Sequence, residues 1–131
     1  MYERLITLER NIAELKNFKI EHTLEDVLSN KTKEWALRYG FLESIQIIID
    51  IACHICAKYN LGSPNNYSEC IELLRKFKYI DKTLEKKLIG MVGLRNILVH
   101  EYISVDTKLL YKLLDNIDDM NEFIKQIKDY I

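Results

Sequence analysis

Residues 33 to 59 constrain the fold more than any other stretch of this chain. Trp35, Leu42, Ile45, Ile49, Ala52 and Cys56 make one apolar set at helical spacing, and Phe41, Ile48, Ile51 and Ile55 make a second. An element that is apolar on most of its sides has to be surrounded by others, so it sits at the centre of its fold. Ile47-Ile48-Ile49 alone has strand character, but the length of the segment and the lack of flanking turn residues predict one long helix, begun by Thr32.

The other segments supply partners for that helix. Leu5, Leu8, Ile12 and Leu15 recur at alternating intervals of three and four, one apolar stripe. Thr23-Leu24-Glu25-Asp26 resembles a capping box with Asp in the place of Glu, opening a short helix to about Ser29. The stretch LGSPNNYSEC, with Gly62 and the sole proline, Pro64, is the one clear loop. Ser68 is the expected cap of a helix running to about Phe77 and burying Ile71, Leu74 and Phe77. Asp81 caps the next helix and Asp106 the last, whose stripe of Leu110, Leu113, Ile117, Met120, Ile124, Ile127 and Ile131 is regular to its end. Gly90 and Gly93 lie inside a helix, where each glycine costs about 1 kcal/mol relative to Ala. They predict close approach of another backbone, from this chain or from a second subunit. The expected fold is therefore all-α: a bundle of about four main helices plus one or two short ones, in a single domain over residues 1–131.

Several function classes find no support. No run of 18 apolar residues is present, so no membrane-spanning helix is expected. Met1-Tyr2-Glu3-Arg4 opens at once on a charged helix face rather than a signal peptide, and the expected location is cytoplasmic. Cys53 and Cys56 form a C-x-x-C, but mid-helix among isoleucines instead of at a helix N-terminus where a thiolate is stabilised. With only Cys70, His22 and His100 left as ligands, no metal is expected, and the three cysteines read as free thiols. There is no P-loop, G-x-G-x-x-G or H-E-x-x-H, and no cofactor is expected. The formal net charge is −1, yet residues 75 to 95 hold seven basic side chains against Asp81 and Glu85. That basic segment is either a solvated helix face or an attractor of phosphate.

The segment leads into Arg95-Asn96-Ile97-Leu98-Val99-His100-Glu101-Tyr102. Arginine offers a planar fork of donors to a phosphate, and histidine exchanges a proton near neutral pH. On a helical wheel of 100° per residue, with Arg95 at 0°, Asn96 falls at about 100°, His100 at about 140° and Tyr102 at about 340°, within one arc. Asn96 and His100 are an i,i+4 pair and are expected to be neighbours. On the long central helix Glu43, Gln46, Asp50 and His54 make a polar stripe. It is either a solvent face or, for Asp50 and His54, the opposite wall of a cleft holding Arg95 and His100.

GLRNILVHEY resembles the R-x4-6-H signature of the HEPN superfamily, and its R-x4-H-x-Y form resembles the HepT branch. Those proteins are the ribonuclease toxins of type VII toxin–antitoxin systems, paired with MntA-type minimal nucleotidyltransferases. SIQIIIDIACHICAKYNLG with the following NNY, and LEKKLIGMVGLRNILVHEY, are similar to the second and the motif helix of that branch. The resemblance implies a toxin endoribonuclease that cleaves RNA, and not DNA, without a metal. The RNA 2′-OH attacks its own 3′ phosphate, His100 acts as general base or acid, Arg95 neutralises the phosphorane, and Asn96 orients His100 or the phosphate. One His per chain leaves the opposite proton role unfilled, and the homodimer of the family would supply a second. Tyr102 matches the tyrosine that accepts AMP from the antitoxin, which silences the toxin. The alternative is a non-catalytic helical subunit that binds a nucleotide or a partner nucleotidyltransferase. A plainer one leaves Arg95 and His100 with structural roles only.

Overall fold

The structure is a computed structural model describing residues 1–131. At its centre lies a 28-residue helix, α3 (Lys31–Lys58), preceded by α1 (Tyr2–Glu21) and the one-turn α2 (Leu24–Leu28). After it come α4 (Tyr67–Lys76), α5 (Lys82–His100), α6 (Thr107–Leu113) and α7 (Asp118–Ile127). Short 3₁₀ turns cover Tyr102–Ser104, Leu114–Asn116 and Lys128–Tyr130, and there is no strand. Helices α1, α2, α4, α5 and α6 all pack on α3. Eleven of its residues are buried, including Ile47, Ile48 and Ile49, whose strand character yields to helix because every side of α3 meets a neighbour. By length and composition α3 is apolar enough to cross a membrane, against the expectation from apolar runs alone; here that apolarity is spent on the core. One hydrophobic cluster of 31 buried residues joins all seven helices.

Most of the predicted stripes face this core. Leu5, Leu8, Ile12 and Leu15 are buried on α1. The capping box of α2 is complete, with Thr23 accepting from the Asp26 N–H and Asp26 accepting from the Thr23 N–H. Asp81 accepts from the Leu84 N–H and Asp106 from the Lys108 N–H, as expected for caps.

Other expectations change. Asn30, not Thr32, caps α3, and Asn66, not Ser68, caps α4; each amide accepts from the N–H three residues on, so both helices begin earlier than expected. Phe77 ends α4 exposed, and Trp35 is 59% exposed on the first turns of α3. The last helix is interrupted at Leu114–Asn116 by a 3₁₀ turn, which tightens the chain while Leu110, Leu114, Ile117 and Met120 all stay buried. A Cβ at Gly90 or Gly93 would meet nothing within 4 Å, so no backbone of this chain packs there. The close approach lies at Gly40, where a Cβ would meet the Leu15 side chain at 2.9 Å across the α1–α3 contact. The cysteines are not all free: Cys53 and Cys70 form a disulfide between α3 and α4, with Cα atoms 5.2 Å apart. Spacing along the chain could not show that pairing, because Cys70 comes from the facing helix. Cys56 remains a buried thiol, its pKa raised by burial.

Candidate active site

Helix α5 begins at Asp81, whose backbone N–H and carboxylate are both engaged by the Gln126 side chain on α7. Its inner face buries Leu84, Leu88, Val92 and Leu98. With that face fixed on the core, Asn96 and His100 turn outward and are exposed, and Arg95 is half-buried against α3 and α4.

The Arg95 guanidinium is held from three directions. Its Nε–H donates to Gln46 Oε1 on α3 at 2.9 Å. Its Nη1 donates to Asn96 Oδ1 at 3.0 Å. Its plane lies over the Tyr67 ring on the first turn of α4, 5.2 Å from the centroid. Nη2 makes no hydrogen bond within the chain. Asn96 thus touches Arg95 rather than its i+4 neighbour His100, and it also lines an open depression of about 630 Å³ with Asn65, Asn66, Tyr67, Ser68 and Glu69.

His100 is the last residue of α5, so the helix reaches it intact and the Asn96–His100 register is kept. Its imidazole is exposed and makes no hydrogen bond within the chain. Tyr102 departs from the wheel. Glu101 leaves the helical region at φ −141°, ψ 43°, and Tyr102 opens a separate 3₁₀ turn. That turn is pinned by Arg38 of α3, which donates to the carbonyls of Tyr102 and Val105 at 2.8 and 2.7 Å and to Thr107 Oγ1. Two shallow depressions share Tyr39 and Leu42; one is also lined by Trp35, Leu98 and Tyr102, the other by Glu43, Gln46, Arg95 and Val99. The Tyr102 hydroxyl makes no hydrogen bond within the chain, and the residue is 59% exposed.

The polar stripe of α3 divides. Asp50 accepts from Gln46 Nε2 at 2.9 Å and pairs with Arg4 of α1, so it reaches Arg95 only through Gln46. His54 lies a further turn along α3, roughly 12 Å of helix from Gln46, beside the chain's amino terminus. Its pKa is lowered by burial, then by the N-terminal amine and Lys58, and it lines none of the depressions described above. No three His, Cys, Asp or Glu side chains converge as a metal site would require.

Sequence reasoning missed three contributors. Gln46 carried a signal, since it lies on the polar stripe four residues before Asp50. Tyr67 stands in the NNY of the family resemblance, but neither its stacking on Arg95 nor the contacts of Arg38 could be read, because their partners come from other helices.

Fold and cluster define a class: an all-helical bundle that presents a guanidinium, an amide and an imidazole at an open helix end, with a phenol on the next turn. A family model described as "Ribonuclease HepT-like" matches residues 8–127, and the chain belongs to that family. It is 29% identical to the mRNA nuclease HepT of Shewanella oneidensis over 95% of this chain and 93% of that one. It is 30% identical to the tRNA nuclease HepT of Aphanizomenon flos-aquae, covering 98% and 87%. Among solved structures it is similar to the tri-AMPylated HEPN toxin of Shewanella oneidensis in complex with MNT antitoxin. There the TM-score is 0.88 at 26% identity, with 98% of this chain and 96% of that one covered.

Proposed function

We propose that this protein is a toxin endoribonuclease that cleaves RNA at Arg95 and His100 and is silenced by AMP transfer to Tyr102. The observation that carries the cleavage is the Arg95 guanidinium, fixed by Gln46, Asn96 and Tyr67 with Nη2 left unbonded, on the same helix that ends in the exposed His100. The relatives named as HepT nucleases support the substrate class.

The 2′-OH of a ribose attacks the adjacent phosphorus, forming an O2′–P bond, and the P–O5′ bond breaks. A base takes the 2′ proton and an acid protonates the departing 5′ oxygen, leaving a 2′,3′-cyclic phosphate. Arg95 balances the charge gathering on the non-bridging oxygens. His100 fills one proton role, a step typically worth about 10²–10⁴-fold. His100 of a second copy would fill the other. Exposed Ile97 lies on the same side of α5 as the open Gly90 and Gly93, and offers apolar surface for that copy beside the motif. A metal-free route suits the makeup of the site: Glu43, which lines the depression with Arg95, is engaged by Asn11 and Tyr39, and Asp50 by Arg4 and Gln46.

Silencing would run through an MntA-like nucleotidyltransferase in the same cytoplasmic compartment. The Tyr102 oxygen attacks the α-phosphorus of ATP, pyrophosphate leaves, and AMP is retained. The adduct places negative charge at the depression that shares Tyr39 and Leu42 with the one lined by Arg95. Its precedent is the AMPylated state of the Shewanella toxin bound to its antitoxin.

A gel of total RNA incubated with purified wild type and Arg95→Ala tests the cleavage. Wild type should degrade the RNA and Arg95→Ala should leave it intact. Intact RNA with both would favour the non-catalytic partner-binding subunit.

A further inference from the structure

We propose that Gln46 is a positioning residue for this ribonuclease: a neutral acceptor that locks the Arg95 fork without consuming its charge. The inference rests on the phosphate-binding role of Arg95 given above.

The chain of contacts fixes which way the Gln46 amide points. The Asp50 carboxylate only accepts hydrogen bonds, so Gln46 turns its Nε2 toward Asp50, at 2.9 Å. Its Oε1 then necessarily faces α5, where it accepts the Arg95 Nε–H, also at 2.9 Å. Asp50 is itself held by Arg4, so its orientation does not depend on Arg95. The sequence of charges is therefore Arg4 positive, Asp50 negative, Gln46 neutral, Arg95 positive. Asp50 is compensated by Arg4, and Glu43, which lines the same depression, is taken by Asn11 and Tyr39, so Arg95 forms no ion pair within the chain.

The geometry adds a second consequence. With Nε taken by Gln46 and one Nη1 proton by Asn96, the free donors are the two on Nη2 and one on Nη1. They sit on the end of the guanidinium, so the phosphate is received end-on. The Tyr67 ring covers the guanidinium, with its centroid 5.2 Å from Cζ. A fork fixed in this way loses little freedom when the phosphorane forms, which is where positioning raises the rate.

Two substitutions separate geometry from charge. Gln46→Leu keeps the volume but gives Arg95 Nε no acceptor. It should lower kcat by about tenfold or more with a smaller change in KM, because the fork is attracted to RNA but no longer aimed. Gln46→Glu supplies a charged acceptor that pairs with Arg95, and it loses the donor to Asp50, whose charge Arg4 still balances. It should raise KM and reduce the slope of log binding constant against log salt by roughly 0.7, the loss of one phosphate contact to single-stranded RNA. A merely structural role for Gln46 would move neither the split between kcat and KM nor the salt slope. Arg95→Ala is assayed alongside. If it is inactive while both folded Gln46 variants match wild type, the positioning role is overturned and the reading of Arg95 stands. If Arg95→Ala cleaves normally, both fall. A third measurement needs no variant: in ¹⁵N-labelled wild type the Arg95 Nε–H should exchange slowly with water, and exchange as fast as that of an exposed arginine overturns the lock.

Discussion

The Arg95 guanidinium is fixed on three sides, and the His100 imidazole on none. This asymmetry suits their proposed roles. A phosphate clamp gains from a rigid fork, whereas a proton carrier gains from access to water and to a substrate oxygen. Tyr102 is also free at its hydroxyl, while its backbone carbonyl is anchored by Arg38. Tyr102→Phe should therefore cleave RNA at close to the wild-type rate but escape AMP transfer. Co-expression with the partner nucleotidyltransferase, followed by mass spectrometry, should show AMP on wild type at Tyr102 and none on the variant, which stays toxic. An adduct on another residue would contradict the assignment. The motif residues could be read in the sequence because their chemistry is written in their side chains. The relation of Tyr102 to Arg95 could not, since α5 ends at His100 and the wheel stops there. Gln46 and Tyr67 escaped because contacts between helices leave no trace in the spacing along one of them.

At the scale of elements, caps decide where the site begins and ends. Asp81 anchors α5, and its carboxyl pKa is lowered mainly by the Leu84 N–H and next by Gln126. A lowered folded-state pKa gives stability that is present above the unfolded value and lost as pH falls through the folded one. Asp81→Asn keeps the cap but removes the charge. Wild type should thus be more stable than Asp81→Asn at pH 7, with the gap closing as pH falls below the ordinary carboxyl value of 3.8. Urea midpoints at both ends of that range measure it, and a gap independent of pH would contradict the assignment. The caps at Thr23, Asp81 and Asp106 are legible in the sequence, and each accepts from an N–H of its first turn. Those of α3 and α4 were misplaced by two residues because Asn30 and Thr32, and Asn66 and Ser68, compete within one turn. The choice between them depends on where the incoming chain turns.

At the scale of the whole molecule, the bundle followed from α3, since a helix apolar on most sides leaves few arrangements but burial by the rest. The face carrying Gly90 and Gly93 did not follow. The sequence implied a close neighbour, and within one chain there is open space. If a second copy fills it, Gly93→Ala should leave the folded chain at least as stable as wild type, by helix propensity of up to about 1 kcal/mol. Gly93→Trp should leave it folded but monomeric by light scattering, and inactive on RNA. A folded, active Gly93→Trp monomer would rule out the shared site.

The central claim is that Arg95 and His100 drive attack by the ribose 2′-OH on its own phosphate. The most direct measurement uses a short RNA with one preferred cleavage site and a matched oligonucleotide carrying a single 2′-deoxy ribose there, both incubated with pure protein in excess EDTA. The RNA should be cut to a 2′,3′-cyclic phosphate end, and the substituted strand should survive at that position. Cleavage of the 2′-deoxy linkage, or loss of all activity in EDTA that returns with Mg²⁺, would contradict it.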